Sequence, residues 1–131
     1  MEINTKYQVL EWLESRKILI QTWKATSKNL SQESFKSEMV KLTEMVKAKK
    51  NAKLLVDMRK FEFIVVPEIQ NWINANINSV ISMAGCKKVA FVISHDLFTR
   101  ISVEQAIEDA ASLFFESRYF KNVADAENWI D

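Results

Sequence analysis

The sequence is poor in residues that turn or crosslink a chain: its 131 residues include one glycine, Gly85, one proline, Pro67, one cysteine, Cys86, and one histidine, His95. A single glycine excludes a glycine-rich phosphate-binding loop, and few turn residues argue against an all-β sandwich. One cysteine excludes a disulfide framework and a multi-cysteine zinc site, and we interpret Cys86 as a small buried residue. The first residues do not show the charged and then apolar pattern of a signal peptide, and no apolar run is long enough to cross a membrane. We therefore expect no membrane span and a reducing, cytoplasmic location.

The charges of the chain are balanced in total but divided unevenly. There are 18 basic and 17 acidic residues, with 13 basic and 7 acidic in residues 1–60 and 5 basic and 10 acidic in residues 61–131. The densest basic group, at 47–53, ends a helical pattern, where cations complement the helix dipole. We therefore predict no nucleic-acid partner. The length and the 48% apolar content fit one domain over 1–131 with a single core.

Hydrophobic periodicity predicts an α/β domain with the element order ββαβαβαβα. The predicted strands cover 7–13, 18–23, 53–58, 88–94 and 118–120, and the predicted helices cover 31–49, 67–84, 102–114 and 122–130. Pro67 suits the first turn of the second helix and Gly85 suits its C-terminal cap. This order predicts a mixed sheet of about five strands with about four helices packed on it.

Two segments of the chain carry a resemblance to a known family. A buried strand ends in Asp57, an aromatic loop containing Phe63-Ile64 follows, and a helix begins near Pro67; near the end, Arg118-Tyr119-Phe120 leads into Ala126-Glu127-Asn128-Trp129-Ile130. With the element order, these segments resemble the STAS domain of bacterial anti-sigma-factor antagonists, and within it the small, stand-alone SpoIIAA-like branch. The resemblance implies the α/β fold above and a non-enzymatic, regulatory, protein-binding function.

One departure from the STAS pattern concerns regulation. Antagonist STAS domains carry an Asp-Ser-Ser-Gly element at the start of the second helix, where a kinase phosphorylates a serine. This chain has Val65-Val66-Pro67-Glu68 there, and residues 63–70 contain no hydroxyl. Glu68 instead supplies a fixed negative charge to the first helical turn, where the helix dipole favours it. We therefore predict a regulatory module without the phosphoserine switch.

Two places on the chain are candidates for a partner or ligand surface. The first is the apolar segment 61–66 with its flanks, because exposed apolar patches mark interaction sites. The second joins the ends of two predicted strands, where ligands bind in open α/β sheets. A histidine between carboxylates could act there as a general base, or be a solvated loop residue; we predict no catalytic site. The candidate residues are Asp57, Arg59, Phe61, Phe63, Val66, Glu68, His95, Asp96 and Arg100.

An alternative function is a small-molecule or lipid carrier. Some SpoIIAA-like proteins resemble lipid-binding CRAL-TRIO domains in their arrangement of sheet and helices. Apolar side chains could line a cavity between the two layers: Met58, Met83, Phe114 and Phe115. The partner would then be a small apolar ligand rather than an unknown protein. In either case we expect no cofactor and no metal, and we interpret the asparagines at 71, 74, 76 and 78 as a solvated helix face.

We also expect a homodimer. The first predicted strand would leave an open sheet edge, and Tyr7, Val9 and Trp12 make it apolar enough to be covered by a second copy. Such a dimer would have two-fold symmetry.

Overall fold

A six-stranded mixed sheet forms the centre of the structure, a computed structural model that describes residues 2–95 and 114–131. The strands lie side by side in chain order, with β1 to β3 antiparallel and β3 to β6 parallel. They are β1 (Glu2–Asn4), β2 (Gln8–Leu13), β3 (Ile18–Trp23), β4 (Lys53–Asp57), β5 (Lys88–Val92) and β6 (Glu116–Phe120). The predicted α/β fold with a mixed sheet is confirmed.

Strand β1 is the element that the sequence analysis did not include. It pairs antiparallel with β2, placing Ile3 opposite Leu10. Three residues are too few to show the alternation by which a strand is found. Because β1 covers β2, the hairpin strand is not an edge, and Trp12 is buried. The argument for a homodimer through an open β2 edge is therefore wrong, and the edge on this side of the sheet belongs to β1.

The helices follow the predicted pattern where the structure describes them: α1 (Gln32–Ala48), α2 (Pro67–Ile73), α3 (Ser79–Met83) and α4 (Val123–Ile130). A 3₁₀ helix, Ala25–Asn29, precedes α1. Helices α2 and α3 are joined by a π-helical turn, Asn74–Asn78, within the single helix predicted over 67–84. The helix predicted over 102–114 lies, except for its last residue, outside the described residues.

Local sequence explains where these helices begin. The Ser31 hydroxyl accepts a hydrogen bond from the Ser34 backbone N–H, and the Ser34 hydroxyl accepts one from the Ser31 N–H. Pro67 occupies the first turn of α2, where its missing N–H costs no helical hydrogen bond. The Asn122 side chain caps α4 by accepting from the Asp125 N–H at 2.8 Å.

The sheet separates two apolar cores, because successive side chains of a strand point to opposite faces. In β4, Leu54 and Val56 pack into the larger core with residues of α1, α2 and α3. The intervening Leu55 packs into a smaller core with Ala126 and Ile130 of α4. Helices thus cover both faces of the sheet, with α1 to α3 on one side and α4 on the other.

Candidate ligand cavity

A cavity of about 290 Å³ lies within the larger core, between the sheet and helices α1 to α3. The sheet contributes cavity-facing residues of β3 to β6, such as Val56 and Val89. The opposite wall comes from α1 and from the helical segment 67–81, and the segment 58–65 contributes Met58, Phe61 and Val65. A cavity therefore lies between the sheet and the helices, where the carrier function would need one.

The π-helical turn forms part of the helical wall. Ile73 and Ile77 on either side of its start both line the cavity, as does Asn78 at its end. A π-turn carries an extra residue relative to an α-helical turn, and such turns are frequent at functional sites. Asn78 donates to Asn74 Oδ1 at 2.9 Å, and Gln70 donates to the same atom at 3.3 Å.

Aromatic rings close the core where the segment 61–66 meets α1. The Phe61 ring lies 4.9 Å from the Trp23 ring, and the Phe63 ring stacks on Phe35 at 4.6 Å. Trp23, Phe35 and Phe61 also line the cavity. The segment 61–66 therefore serves as a wall of the cavity and not only as an outer surface.

The described lining of the cavity is almost wholly apolar. Sixteen of its twenty residues are hydrophobic, and the other four are Gln21, Gln70, Asn78 and Tyr119. None of these twenty residues carries a charge. Ligand sites of drug size are concave, of about 300–1,000 Å³, mostly apolar, with a few placed polar groups. The volume of the cavity is close to the lower end of this range, and its lining has the same mainly apolar character.

Gln21 is the most deeply buried of the polar lining residues, with 1% of its surface exposed. Its Nε2 donates to Gln8 Oε1 at 2.8 Å and contacts Met39 Sδ at 3.8 Å. Gln8 in turn donates to the Glu38 carboxylate and backbone carbonyl. A buried chain of polar groups thus runs from α1 through β2 to the cavity.

Sequence reasoning found some of the lining residues and missed others. Met58 and Phe115 line the cavity as expected for a carrier, whereas Met83 is 88% exposed. The solvated-face interpretation of the asparagines is wrong for Asn78, because the π-turn directs it to the cavity. Gln21 was missed, although its place between Leu19 and Trp23 on the buried face of β3 was a usable signal.

The predicted strand-end site is brought together only in part. The ends of β4 and β5 are adjacent, since the Met58 N–H donates to Val92 O at 2.8 Å. Asp57 is 7% exposed, and its two carboxylate oxygens accept from Arg59 at 3.0 and 2.7 Å. These hydrogen bonds raise the pKa of the Arg59 guanidinium. His95 is exposed. Asp96 and Arg100 lie outside the described residues.

The predicted partner surface at 61–68 contains residues in different environments. Phe61 and Phe63 are both half-buried and pack on the same aromatic group, as their spacing predicts. Val66 is half-buried and precedes α2 without a side-chain cap, and Glu68 is exposed in the first turn of that helix. Ile64, with 79% of its surface exposed, is the large hydrophobic residue of this segment that faces solvent.

Two further properties of residues 2–95 and 114–131 concern metals and membranes. Within these ranges no three histidine, cysteine or acidic side chains are grouped as metal ligands. No helix in the same ranges has the length and apolar character needed to cross a bilayer.

Comparison with known proteins adds a family. No curated protein and no solved structure matches the chain significantly. The family model described as SpoIIAA-like matches residues 23–131, which include β4 to β6, the four helices described above and all the described lining residues of the cavity except Gln21. The chain therefore belongs to the SpoIIAA-like family.

Proposed function

We propose that the protein is a non-enzymatic binding module that holds a small apolar molecule in the cavity between its sheet and helices α1 to α3. The observation that carries the proposal is the cavity itself, with about 290 Å³ of space and sixteen hydrophobic residues in its described lining. The geometry thus favours the carrier function over a module that acts through its outer surface alone.

The apolar lining supports an occupied cavity. Apolar surface that is left in contact with water is unfavourable, and burying it gains about 25 cal/mol per Å². An apolar ligand would regain the dispersion contacts that the lining residues otherwise lack.

Two matched substitutions test the cavity. Val56→Phe adds a ring on the cavity side of β4, and Val92→Phe adds the same ring on the opposite face of β5, which packs against α4. We expect Val56→Phe to keep or raise the melting temperature, and Val92→Phe to cost about 1–3 kcal/mol by overpacking. Equal destabilisation by both variants would contradict the proposal.

Native mass spectrometry of the purified protein completes the test. The wild-type protein should retain a small apolar molecule, or bind one added in solution, and Val56→Phe should not. A folded wild-type protein that binds no apolar molecule in either form would refute the carrier function.

A second candidate function is the regulatory, protein-binding role of STAS type, without the phosphoserine switch. One observation favours it: Ile64 is exposed at the corner between β4 and α2, beside the exposed acidic residues Glu62 and Glu68. A photo-crosslinking residue at position 64 should then give one defined protein adduct in cells. The same residue at Val40, an exposed position of α1, is the control and should give none.

We further propose a cytoplasmic homodimer, now paired through β1. The single cysteine suits a reducing compartment, and Ile3 lies at the centre of the only three-residue strand of the described sheet. Sedimentation velocity at tens of micromolar should show a dimer, and Ile3→Pro should convert it to a monomer, because proline cannot complete a strand pair. A monomeric wild-type protein would refute this proposal.

A further inference from the structure

We infer that the ligand is a neutral, mainly apolar molecule whose one polar group donates a hydrogen bond, and that Gln21 Oε1 accepts it. This inference rests on the proposed carrier function and names the chemical class of ligand. It follows from the direction of the buried hydrogen bonds behind the cavity wall.

The direction of these hydrogen bonds is set at Glu38 in α1. Gln8 Nε2 lies 2.9 Å from the backbone carbonyl oxygen of Glu38 and 3.3 Å from its carboxylate Oε1. A backbone carbonyl oxygen can only accept, and the Glu38 carboxylate also accepts from Lys41 and Thr5. The amide nitrogen of Gln8 must therefore face Glu38, which leaves Gln8 Oε1 on the other side.

The orientation of the Gln8 amide also fixes the orientation of the Gln21 amide. Because Gln8 Oε1 is an acceptor, the atom of Gln21 that lies 2.8 Å from it must be the donor Nε2. The other contact of Nε2 is Met39 Sδ, a weak acceptor, at 3.8 Å. In the described part of the chain, no hydrogen bond has Gln21 Oε1 as its acceptor. Gln21 is 1% exposed and lines the cavity, so its Oε1 is a buried acceptor for a ligand.

The charge and size of the cavity further restrict the chemical class of ligand that it can hold. A buried carboxylate needs a paired cation or several donors, and the twenty described lining residues offer no charge. A cavity of about 150 Å³ takes benzene, so twice that volume takes about a dozen non-hydrogen atoms. A medium-chain alcohol, or a phenol with a short alkyl chain, has this size, this apolar character and one donor.

Three ligands of similar length test the inference by titration calorimetry: decanol, nonyl methyl ether and decanoate. Decanol should bind about tenfold more tightly than the ether, because the ether buries Gln21 Oε1 without a partner. Decanoate should bind at least about a hundredfold more weakly than decanol at neutral pH, and its affinity should rise in acid as the neutral, donating form appears. Equal affinity of alcohol and ether would overturn the inference and leave the carrier function standing. Absence of binding by all three would refute the carrier function itself.

Variants assign the acceptor to Gln21. Gln21→Leu should abolish the tenfold preference for decanol while leaving the affinity for the ether unchanged. Gln70→Leu removes another lining amide, outside the buried chain, and should keep the preference. If Gln21→Leu unfolds because Gln8 Oε1 loses its donor, the double variant Gln8→Leu, Gln21→Leu removes both amides, and the Glu38 carboxylate keeps Lys41 and Thr5 as donors, so the fold should be recovered. A preference that survives in the Gln21 variants, or disappears with Gln70→Leu, would overturn the assignment.

Discussion

The ring of Phe63 stacks on the ring of Phe35, with centroids 4.6 Å apart and planes 14° apart. Phe35 belongs to α1, whereas Phe63 belongs to the irregular segment between β4 and α2. The neighbouring Phe61 makes a second connection, to Trp23 of β3. Two rings therefore fix the segment 61–66 to the core. Of the three residues between Phe63 and the start of α2, only Ile64 projects into solvent.

Replacing either ring should destabilise the domain. Stacked or tilted aromatic pairs contribute about 0.5–1.5 kcal/mol beyond the burial of their surface, and both rings are half-buried. We expect Phe61→Ala and Phe63→Ala each to lower the free energy of unfolding by about 2 kcal/mol, less than the 3–5 kcal/mol typical of fully buried rings. Thermal melting and urea unfolding measure the change.

Ile64→Ala is the matched control, since it removes an exposed side chain from the same segment. It should change the free energy of unfolding by no more than about 0.5 kcal/mol. A double variant of Phe61 and Phe63 that melts like the wild type would show that the rings act at an outer surface and do not pack.

Much of this fold could be predicted because single strands and helices are specified by local patterns. The run Lys53–Asp57 was recognisable as a buried parallel strand, since such strands are apolar on both faces. Gly85 and Pro67 marked the end and the start of helices through their own backbone properties. The three-residue strand Glu2–Asn4 offered no such pattern, and its structure depends on β2 beside it.

The cavity depends on relations that no single segment contains. Gln21 is recognisable as polar, but its role follows from Gln8 and Glu38, which belong to β2 and α1. Asn78 reaches the cavity because a π-turn shifts the register of the helix, and the sequence pattern assumes 3.6 residues per turn. Empty volume is a sum of many side chains from different elements, so periodicity cannot reveal it.

Gly85→Ala should be strongly destabilising, because Gly85 ends α3 in a Schellman motif. Its φ is +97°, its N–H donates to Ser82 O, and the Cys86 N–H donates to Ile81 O, both at 3.0 Å. A Cβ at this position would lie 2.1 Å from Asn51 Oδ1 and 3.2 Å from Asn51 Cα. We expect a loss of at least about 2 kcal/mol from the positive φ and the contact together.

Asn51→Ala helps to separate these two causes. It removes the side-chain oxygen that a new Cβ would meet, and the strain that alanine itself suffers at the Asn51 φ of +64° is the same in both members of the comparison. Urea unfolding should show that Gly85→Ala lowers the free energy of unfolding less in the Asn51→Ala background than in the wild-type protein. Equal costs in the two backgrounds would show that the Asn51 side chain contributes nothing, and that the positive φ and the close approach of Asn51 Cα are responsible.

Cys86 should be inert in the folded protein. It is 1% exposed, and burial raises the pKa of its thiol to about 11. At pH 8 an aromatic disulfide reagent should label it only as fast as the domain unfolds, and guanidinium should restore rapid labelling. Rapid labelling of the native protein would contradict its burial.

The raised pKa of Cys86 also predicts a dependence of stability on pH. Between about 8.5, the ordinary pKa of a thiol, and about 11, the unfolded chain loses the thiol proton while the folded chain keeps it. The free energy of unfolding should therefore fall as pH rises through this window. Cys86→Ala lacks the group, so its pH profile should fall less steeply over the same range.

The pair of Asp57 and Arg59 should stabilise the end of β4 through its geometry. Arg59 Nε and Nη2 donate to the two oxygens of Asp57 at 3.0 and 2.7 Å, and the Arg59 backbone N–H donates to Oδ1 at 3.1 Å. The carboxylate is nearly buried, whereas the guanidinium is about half exposed, so solvent screens the pair. We expect a coupling free energy of about 0.5–1 kcal/mol from a double-mutant cycle of Asp57→Asn and Arg59→Ala in urea.

Asp57→Ala should lower the free energy of unfolding more than Arg59→Ala does, because it also leaves the backbone N–H of Arg59 without its acceptor. We expect a loss of about 1–3 kcal/mol for Asp57→Ala. Arg59→Lys is the discriminating control. Lysine keeps the charge but cannot donate to both carboxylate oxygens in a planar fork, so it should recover less than half of the coupling. Full recovery by lysine would show that charge alone stabilises the turn after β4. A coupling that disappears with moderate salt would show that Asp57 is more open to solvent than its burial indicates.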